Sequence, residues 1–400
     1  MSKLVAPLAV FVAVLVAMVA LNNGATSPPA AVSAERGPDY AALGNTYLAR
    51  ARETGDPAFY TRADRAFSVA LRRDPASIDG LVGAGTLAGT RHDFAEQLRL
   101  GTEARGVAPD LARPLTVIAD AQVELGRYPA AARTIQRLVD LKPSLPAYAR
   151  VSYYRELHGD VDGATSAMRY AASAGGSPEG TAYVETLLGD LELTRGQTGP
   201  AGEAYRSALR DAPAFPQALT GLARIDAAGG RLRRAAARLR RSTNRLPLTT
   251  ALTLLSEVET ALGRSRAASA DLAAARFQHR LLRRSRTLPD AEAVLFEANH
   301  GSPARAVRLG RRVWRLAPSI RSADALGWAL TRAGLAGDGL VWARRALRTG
   351  SVDPAFRLHA GVAALRSGRR GEAARYLTAT VRGAAALSPS ARRLLEEARS

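Results

Sequence analysis

The chain has 400 residues, a formal net charge of +20 and only 6% aromatic residues. That length exceeds one ordinary core and calls for several domains or one elongated repeat array. The absence of cysteine excludes disulfides, thiol nucleophiles, cysteine–zinc sites and a lipid-modified cysteine.

From the N-terminus, Leu4 to Leu21 is uncharged and almost wholly apolar. As a helix it measures about 27 Å, close to the thickness of a bilayer core. Lys3 precedes it and no basic residue follows until Arg36, which keeps the N-terminus in the cytoplasm and sends the rest outside. Residues 1–21 are expected to be a signal peptide or an N-terminal transmembrane anchor. Asn23-Gly24-Ala25 and Val32-Ser33-Ala34 are two candidate cleavage sites. The chain is expected outside the cytoplasm, anchored if the segment stays and secreted if it is cut. Residues 22–38, rich in Ala, Pro, Ser and Gly, read as a flexible linker.

From Asp39 one rhythm repeats: an apolar helix, a glycine-centred turn, a second helix, then proline. Pro75, Pro109 and Pro143 are 34 residues apart, as are Pro213 and Pro247. Pro143 to Pro213 and Pro247 to Pro318 each leave room for two units, and Pro354 and Pro389 continue the series. A sustained period of this length marks stacked supersecondary units. Two stretches depart from it and are candidate breaks between sub-arrays: Gly175-Gly176 replaces a proline, and Leu252 to Leu288 holds a long second helix.

The best unit contains Leu188-Gly189, Gly196, Ala201, Tyr205, Ala208 and Pro213; the first contains Leu43-Gly44, Tyr47, Ala63, Phe67, Ala70 and Pro75. These positions resemble the tetratricopeptide repeat family. The resemblance implies an all-α, right-handed α-solenoid of stacked antiparallel helix pairs. About ten such repeats are expected over residues 39–389, with a C-terminal capping helix at 390–400. It also implies that first helices line a concave face that binds a protein partner. The positions it assigns to that face are Asn45, Asp120, Glu124, Tyr154, Asp190, Arg224, Asn299 and Trp328. Tyr154 and Trp328 are expected as exposed aromatic anchors. Ala41 stands where chaperone-binding members carry lysine, so their carboxylate clamp is not expected.

The second helices carry most of the charge. Arg231, Arg234, Arg238, Arg241 and Arg245 recur at three- and four-residue steps and so form one stripe. Arg276, Arg280 and Arg284, with Arg283, extend it, and Arg305, Arg308, Arg312 and Arg315 repeat it. Between Arg224 and Arg321 stand 21 basic and 7 acidic residues, so 21 − 7 = +14 of the net charge lies there. This convex arginine band suits anionic lipid, wall polymer or an acidic protein. It lacks the interleaved aromatics of a nucleic-acid stacking platform, and nucleic acid is not expected.

Catalysis is not expected. His92, His158, His279, His300 and His359 are scattered without metal-type spacing. Asp160-Val161-Asp162-Gly163 lacks the downstream glutamate of a calcium loop and reads as a turn. No cofactor or metal is implied. The sequence reads as a non-enzymatic protein–protein interaction scaffold of the cell envelope, with docking on an anionic surface as the alternative.

Overall fold

Ten of the described helices begin at a residue whose side chain caps the first turn. Asp39, Ser77, Asp93, Asp160, Ser177, Asp290, Ser302, Ser319, Asp353 and Ser388 all cap a helix by accepting a backbone N–H two or three residues on. Such a bond satisfies one of the donors left orphaned in the first turn. Proline follows the cap in several of them, where its missing N–H costs nothing.

The computed structural model describes residues 38–400. Among these it contains twenty-one α-helices in consecutive antiparallel pairs. They are α1 (Tyr40–Thr54), α2 (Ala58–Arg73), α3 (Ile78–Thr90), α4 (Phe94–Val107), α5 (Ala112–Glu124), α6 (Tyr128–Leu141), α7 (Leu145–Leu157), α8 (Val161–Ser173), α9 (Pro178–Thr194), α10 (Thr198–Asp211) and α11 (Pro216–Ala228). There follow α12 (Leu232–Arg245), α13 (Thr249–Ala261), α14 (Ser265–Arg284), α15 (Ala291–His300), α16 (Pro303–Leu316), α17 (Ile320–Arg332), α18 (Ala336–Ala346), α19 (Pro354–Arg366) and α20 (Arg370–Thr380). A 3-10 turn at Val381–Ala386 leads into α21 (Pro389–Arg399). The eight prolines of the 34-residue rhythm lie between pairs or at the first residue of the next helix. No helix among the described residues is long and apolar enough to cross a membrane. Leu4 to Leu21, the expected anchor or signal peptide, lies outside them.

Odd-numbered helices open each pair. Successive first helices pack on one another, α1 on α3, α3 on α5, α9 on α11, α15 on α17 and α17 on α19, with a second helix wedged behind each junction. First helices therefore form an inner layer and second helices an outer one. Most pairs turn through a left-handed glycine such as Gly126, Gly196 or Gly334, a conformation that costs glycine no steric penalty. The α3–α4 turn instead holds His92 at φ 60°, with its Nδ1 3.0 Å from the Leu288 carbonyl.

The packing motif is a large side chain between two glycines. Tyr205 on α10 is fully buried against Gly189 on α9 and Gly221 on α11. A Cβ at either glycine would come within 2.5 and 2.3 Å of its ring. Phe67 fills the same place between Gly44 and Gly83, and Leu377 lies against Gly361. The missing side chains let backbones approach while the ring fills the space between them.

Two compact units divide the described residues. One runs to Arg150 and takes in Leu281–Leu288; the other holds Val151–Arg280 and Pro289–Ser400. The division thus falls inside α7 and at the end of α14, and Gly175-Gly176 marks no boundary. At 20 residues α14 is the longest of the described helices, as its sequence suggests. Within the larger unit the C-terminal segment does more than cap the end. The 3-10 turn packs on α9 and α11, and α21 on α13, α19 and α20. Ser390 N donates to Glu257 Oε2 at 3.3 Å, and Arg392 Nη2 to the Ala227 carbonyl at 2.7 Å. The chain's own C-terminus therefore covers part of the inner first-helix layer.

Gly221→Val should lower unfolding free energy in urea by about 2–3 kcal/mol, the cost of overpacking a filled core. A loss below about 0.5 kcal/mol would mean that Tyr205 does not hold the repeats in register.

Candidate functional site

The polar residues of the inner layer bond to one another, one repeat apart. On α5, Asp120 receives both Nε (2.7 Å) and Nη2 (2.6 Å) of Arg150 on α7. Arg150 also donates Nη1 to the Pro146 carbonyl at 2.8 Å, so a buried guanidinium finds three acceptors. Asp190 on α9 accepts from Tyr205 Oη at 2.7 Å and Arg224 Nη1 at 3.3 Å. Trp328 Nε1 on α17 donates to Asn299 Oδ1 on α15 at 2.8 Å. His359 Nδ1 on α19 donates to Asp324 on α17 at 2.9 Å, and its ring stacks on Trp328 at 4.3 Å. Arg113 and Asp79 pair 34 positions apart in the same way. Charge-assisted and bidentate bonds of this kind are the strong ones.

This ladder uses most of the expected partner-binding residues. Asp120, Glu124, Arg224 and Asn299 are buried, and Asp190 nearly so. Trp328 corrects an expectation: far from an exposed anchor, it is 0% exposed, because its ring completes the core between α15 and α19. Asn45 on α1 and Tyr154 on α7 stay half-buried, Tyr154 stacked on His158 at 4.2 Å. His359, five residues into α19, is a buried bridging residue.

The inner layer of the larger unit gathers carboxyls around Arg321 on α17. Burial, and then the charges of Asp353 and Asp190, push Glu156 up to about 8. Burial and Asp290 push Glu292 well above the ordinary carboxylate range, and burial and Asp324 raise Asp353. Glu257, facing the start of α21, is pushed up to about 7 by burial. Among the described residues no group of histidine and carboxylate side chains has the arrangement of a metal site.

The arginine band divides into two parts. On α12, Arg231 (2.9 Å), Arg234 (3.4 Å) and Arg238 converge on Asp226, which is 2% exposed. These three hold a buried carboxylate, which offsets one of their three charges, and Arg231 and Arg234 remain exposed. Arg241 and Arg245 are exposed. On α14, Arg276 donates to the His300 carbonyl at 3.0 Å and Arg280 lies over Phe277, both exposed. Arg284 is exposed in the smaller unit. On α16, Arg305 pairs with Glu297 at 2.6 Å, while Arg308, Arg311, Arg312 and Arg315 are exposed opposite buried Ala306, Val307, Gly310 and Val313.

Sequence reasoning missed Arg150, Asp226 and a pair of indoles. Trp314 on α16 and Trp342 on α18 meet edge-to-face at 4.8 Å, with the Arg345 guanidinium 5.3 and 4.9 Å from their rings. Recurrence of Asp and Arg at one-repeat offsets, as in Asp190 and Arg224, was a readable signal for the ladder. The indoles gave none, because they occupy different positions in their helices.

Glycine–aromatic–glycine packing, proline-bounded pairs and inner first helices together define the architecture. The fold is a tetratricopeptide-like solenoid. No model of a known family matches the chain, and no curated protein is significantly similar to it. Among solved structures it is similar to TTC0263, a thermophilic TPR protein in Thermus thermophilus, at 20% identity, covering 45% of this chain and 93% of that one, with TM-score 0.40. It is also similar to the human IFIT1 dimer with PPP-AAAA (16% identity, 77% and 72% covered, TM-score 0.49). The APC/C hetero-tetramer Cut9-Hcn1 gives 16% identity, 86% and 59% covered, and TM-score 0.37. At these identities the likeness concerns the fold alone.

Arg150→Leu should cost about 3–5 kcal/mol by leaving a buried carboxylate without its partner. Asp120→Leu in the same chain should restore much of that loss; a single variant as stable as the parent would show that the pair does not link the repeats. The raised carboxyls set a pH dependence. Glu156 and Glu257 keep protons in the folded state that the unfolded chain releases. Their stabilisation is therefore complete below the ordinary carboxylate range and is lost as pH rises through about 7 to 8. The thermal midpoint should fall between pH 5 and pH 9, and Glu156→Gln should flatten that fall. An unchanged slope in the variant would assign it elsewhere.

Proposed function

We propose that the protein is a non-enzymatic interaction scaffold of the cell envelope that docks on an anionic surface through its outer arginine face, chiefly α16. The observation that carries this reading is the contrast between the two layers. The inner polar residues are engaged in linking repeats, and the C-terminal segment lies over α9, α11 and α13. The outer face of α16 presents Arg308, Arg311, Arg312 and Arg315 with no acidic residue on the helix. Closely spaced like charges repel each other, and an anionic partner relieves that repulsion while gaining several contacts at once. The apolar N-terminal segment and its flanking charge support export, which would put the band outside the cytoplasm.

A second reading keeps a protein partner on the inner layer. It is favoured by Tyr154, an aromatic on a first helix that remains half-buried.

The first reading is tested by glutamine substitution at Arg308, Arg311, Arg312 and Arg315, against a charge-matched control at exposed Arg65, Arg72, Arg133 and Arg137. Both variants lose the same net charge. The band variant should leave a polyglutamate-coated surface at clearly lower salt than the control, since each lost contact flattens the ionic-strength dependence. Equal elution of the two would refer the binding to overall charge and remove the band.

A further inference from the structure

Resting on the anionic-surface reading, we infer that the contact is made with anionic phospholipid and that Trp314 and Trp342 enter the headgroup region. Four observations converge on one patch of the outer layer. The two indoles meet edge-to-face on neighbouring second helices, half-buried and packed against the core. Val341, beside Trp342, is 60% exposed, a large apolar side chain in water. The Arg345 guanidinium lies over both indoles, and Arg311 and Arg315 flank Trp314 in sequence on the same helix. On the next second helix Tyr376 is half-buried and donates to Glu372 at 3.3 Å, which in turn receives Arg344 at 2.9 and 2.6 Å.

This mixture matches a lipid interface closely. Indole and phenol rings prefer the boundary between headgroup and acyl chain, where one edge is apolar and the other wet. Arginine can meet lipid phosphate while its stem lies along apolar surface. An exposed apolar residue between such groups gains by leaving water. An acidic peptide would use the guanidiniums but gives Val341 nothing to bury against. The patch also spans three successive second helices, α16, α18 and α20, and so suits an extended partner.

The chain carries an internal reporter for this contact. It has three tryptophans, and Trp328 is fully buried, so any change of emission from outside reports Trp314 and Trp342. The N-terminal apolar segment contains no tryptophan, so its own insertion is silent. The full chain is reconstituted in phosphatidylcholine vesicles with and without phosphatidylglycerol, both containing acyl-chain-brominated phosphatidylcholine. Bromine should quench emission in the vesicles that contain phosphatidylglycerol and not in those without it, and 0.5 M salt should reverse the effect. Trp314→Phe and Trp342→Phe should each remove part of the quenching, and Arg345→Gln should raise the phosphatidylglycerol needed for it, by roughly fivefold in binding constant per charge lost. Salt-sensitive vesicle attachment without quenching would overturn the insertion of the indoles and leave the band reading intact. Retention by polyglutamate, with the same emission shift there and no effect of vesicles, would identify an acidic protein as the partner and overturn the lipid. Loss of both kinds of binding would remove the band reading itself.

Discussion

The close approach of helices across glycine is the constraint on which the other features depend. Where Gly189 and Gly221 face Tyr205, the backbone of one repeat comes as near the next as a ring's thickness allows. That distance brings Asp190 within reach of both Tyr205 and Arg224. Widening it by a methyl group would strain the aromatic contact and stretch the polar one together. The apolar and polar contacts between repeats are thus two results of one geometry, and the ladder has little freedom to rearrange by itself.

Burial gives that ladder its second property. A charge removed from water is costly unless a partner and further hydrogen bonds replace the solvent. Arg150 has three protein acceptors, and Asp226 has three arginines. The carboxyls around Arg321 share a single guanidinium, and burial raises all three above the ordinary carboxylate range, Glu156 to about 8. The inner layer therefore shows two outcomes of burial, full pairing where partners suffice and a raised proton affinity where they do not.

Much of the fold could be read from residue order. Proline spacing located the pairs, and the small and large positions around Gly189 and Tyr205 indicated how they pack. The candidate site was read less well, for a physical reason. A family position says which layer a residue faces, but its exposure depends on what the neighbouring helix or repeat supplies, and family position alone does not give that. Trp328 became core because Asn299 and His359 stand on either side of it. Arg231, Arg234 and Arg238 formed a stripe by spacing alone, yet Asp226 one helix earlier claims them. The indole pair required the register of two outer helices, which period alone does not fix.

The C-terminal segment across α9, α11 and α13 affects how the molecule is made. Repeat arrays gain stability from nearest neighbours and can fold as they lengthen. In the larger unit, Ser390 bonds a residue 133 positions earlier and Arg392 one 165 earlier. Such distant contacts are slow to form and come late. Synthesis proceeds from the N-terminus, so the apolar inner surface of the middle repeats exists before the residues that cover it. A ribosome stalled anywhere before Leu387 would hold a chain with that surface bare, its shelter waiting on residues more than a hundred positions further on.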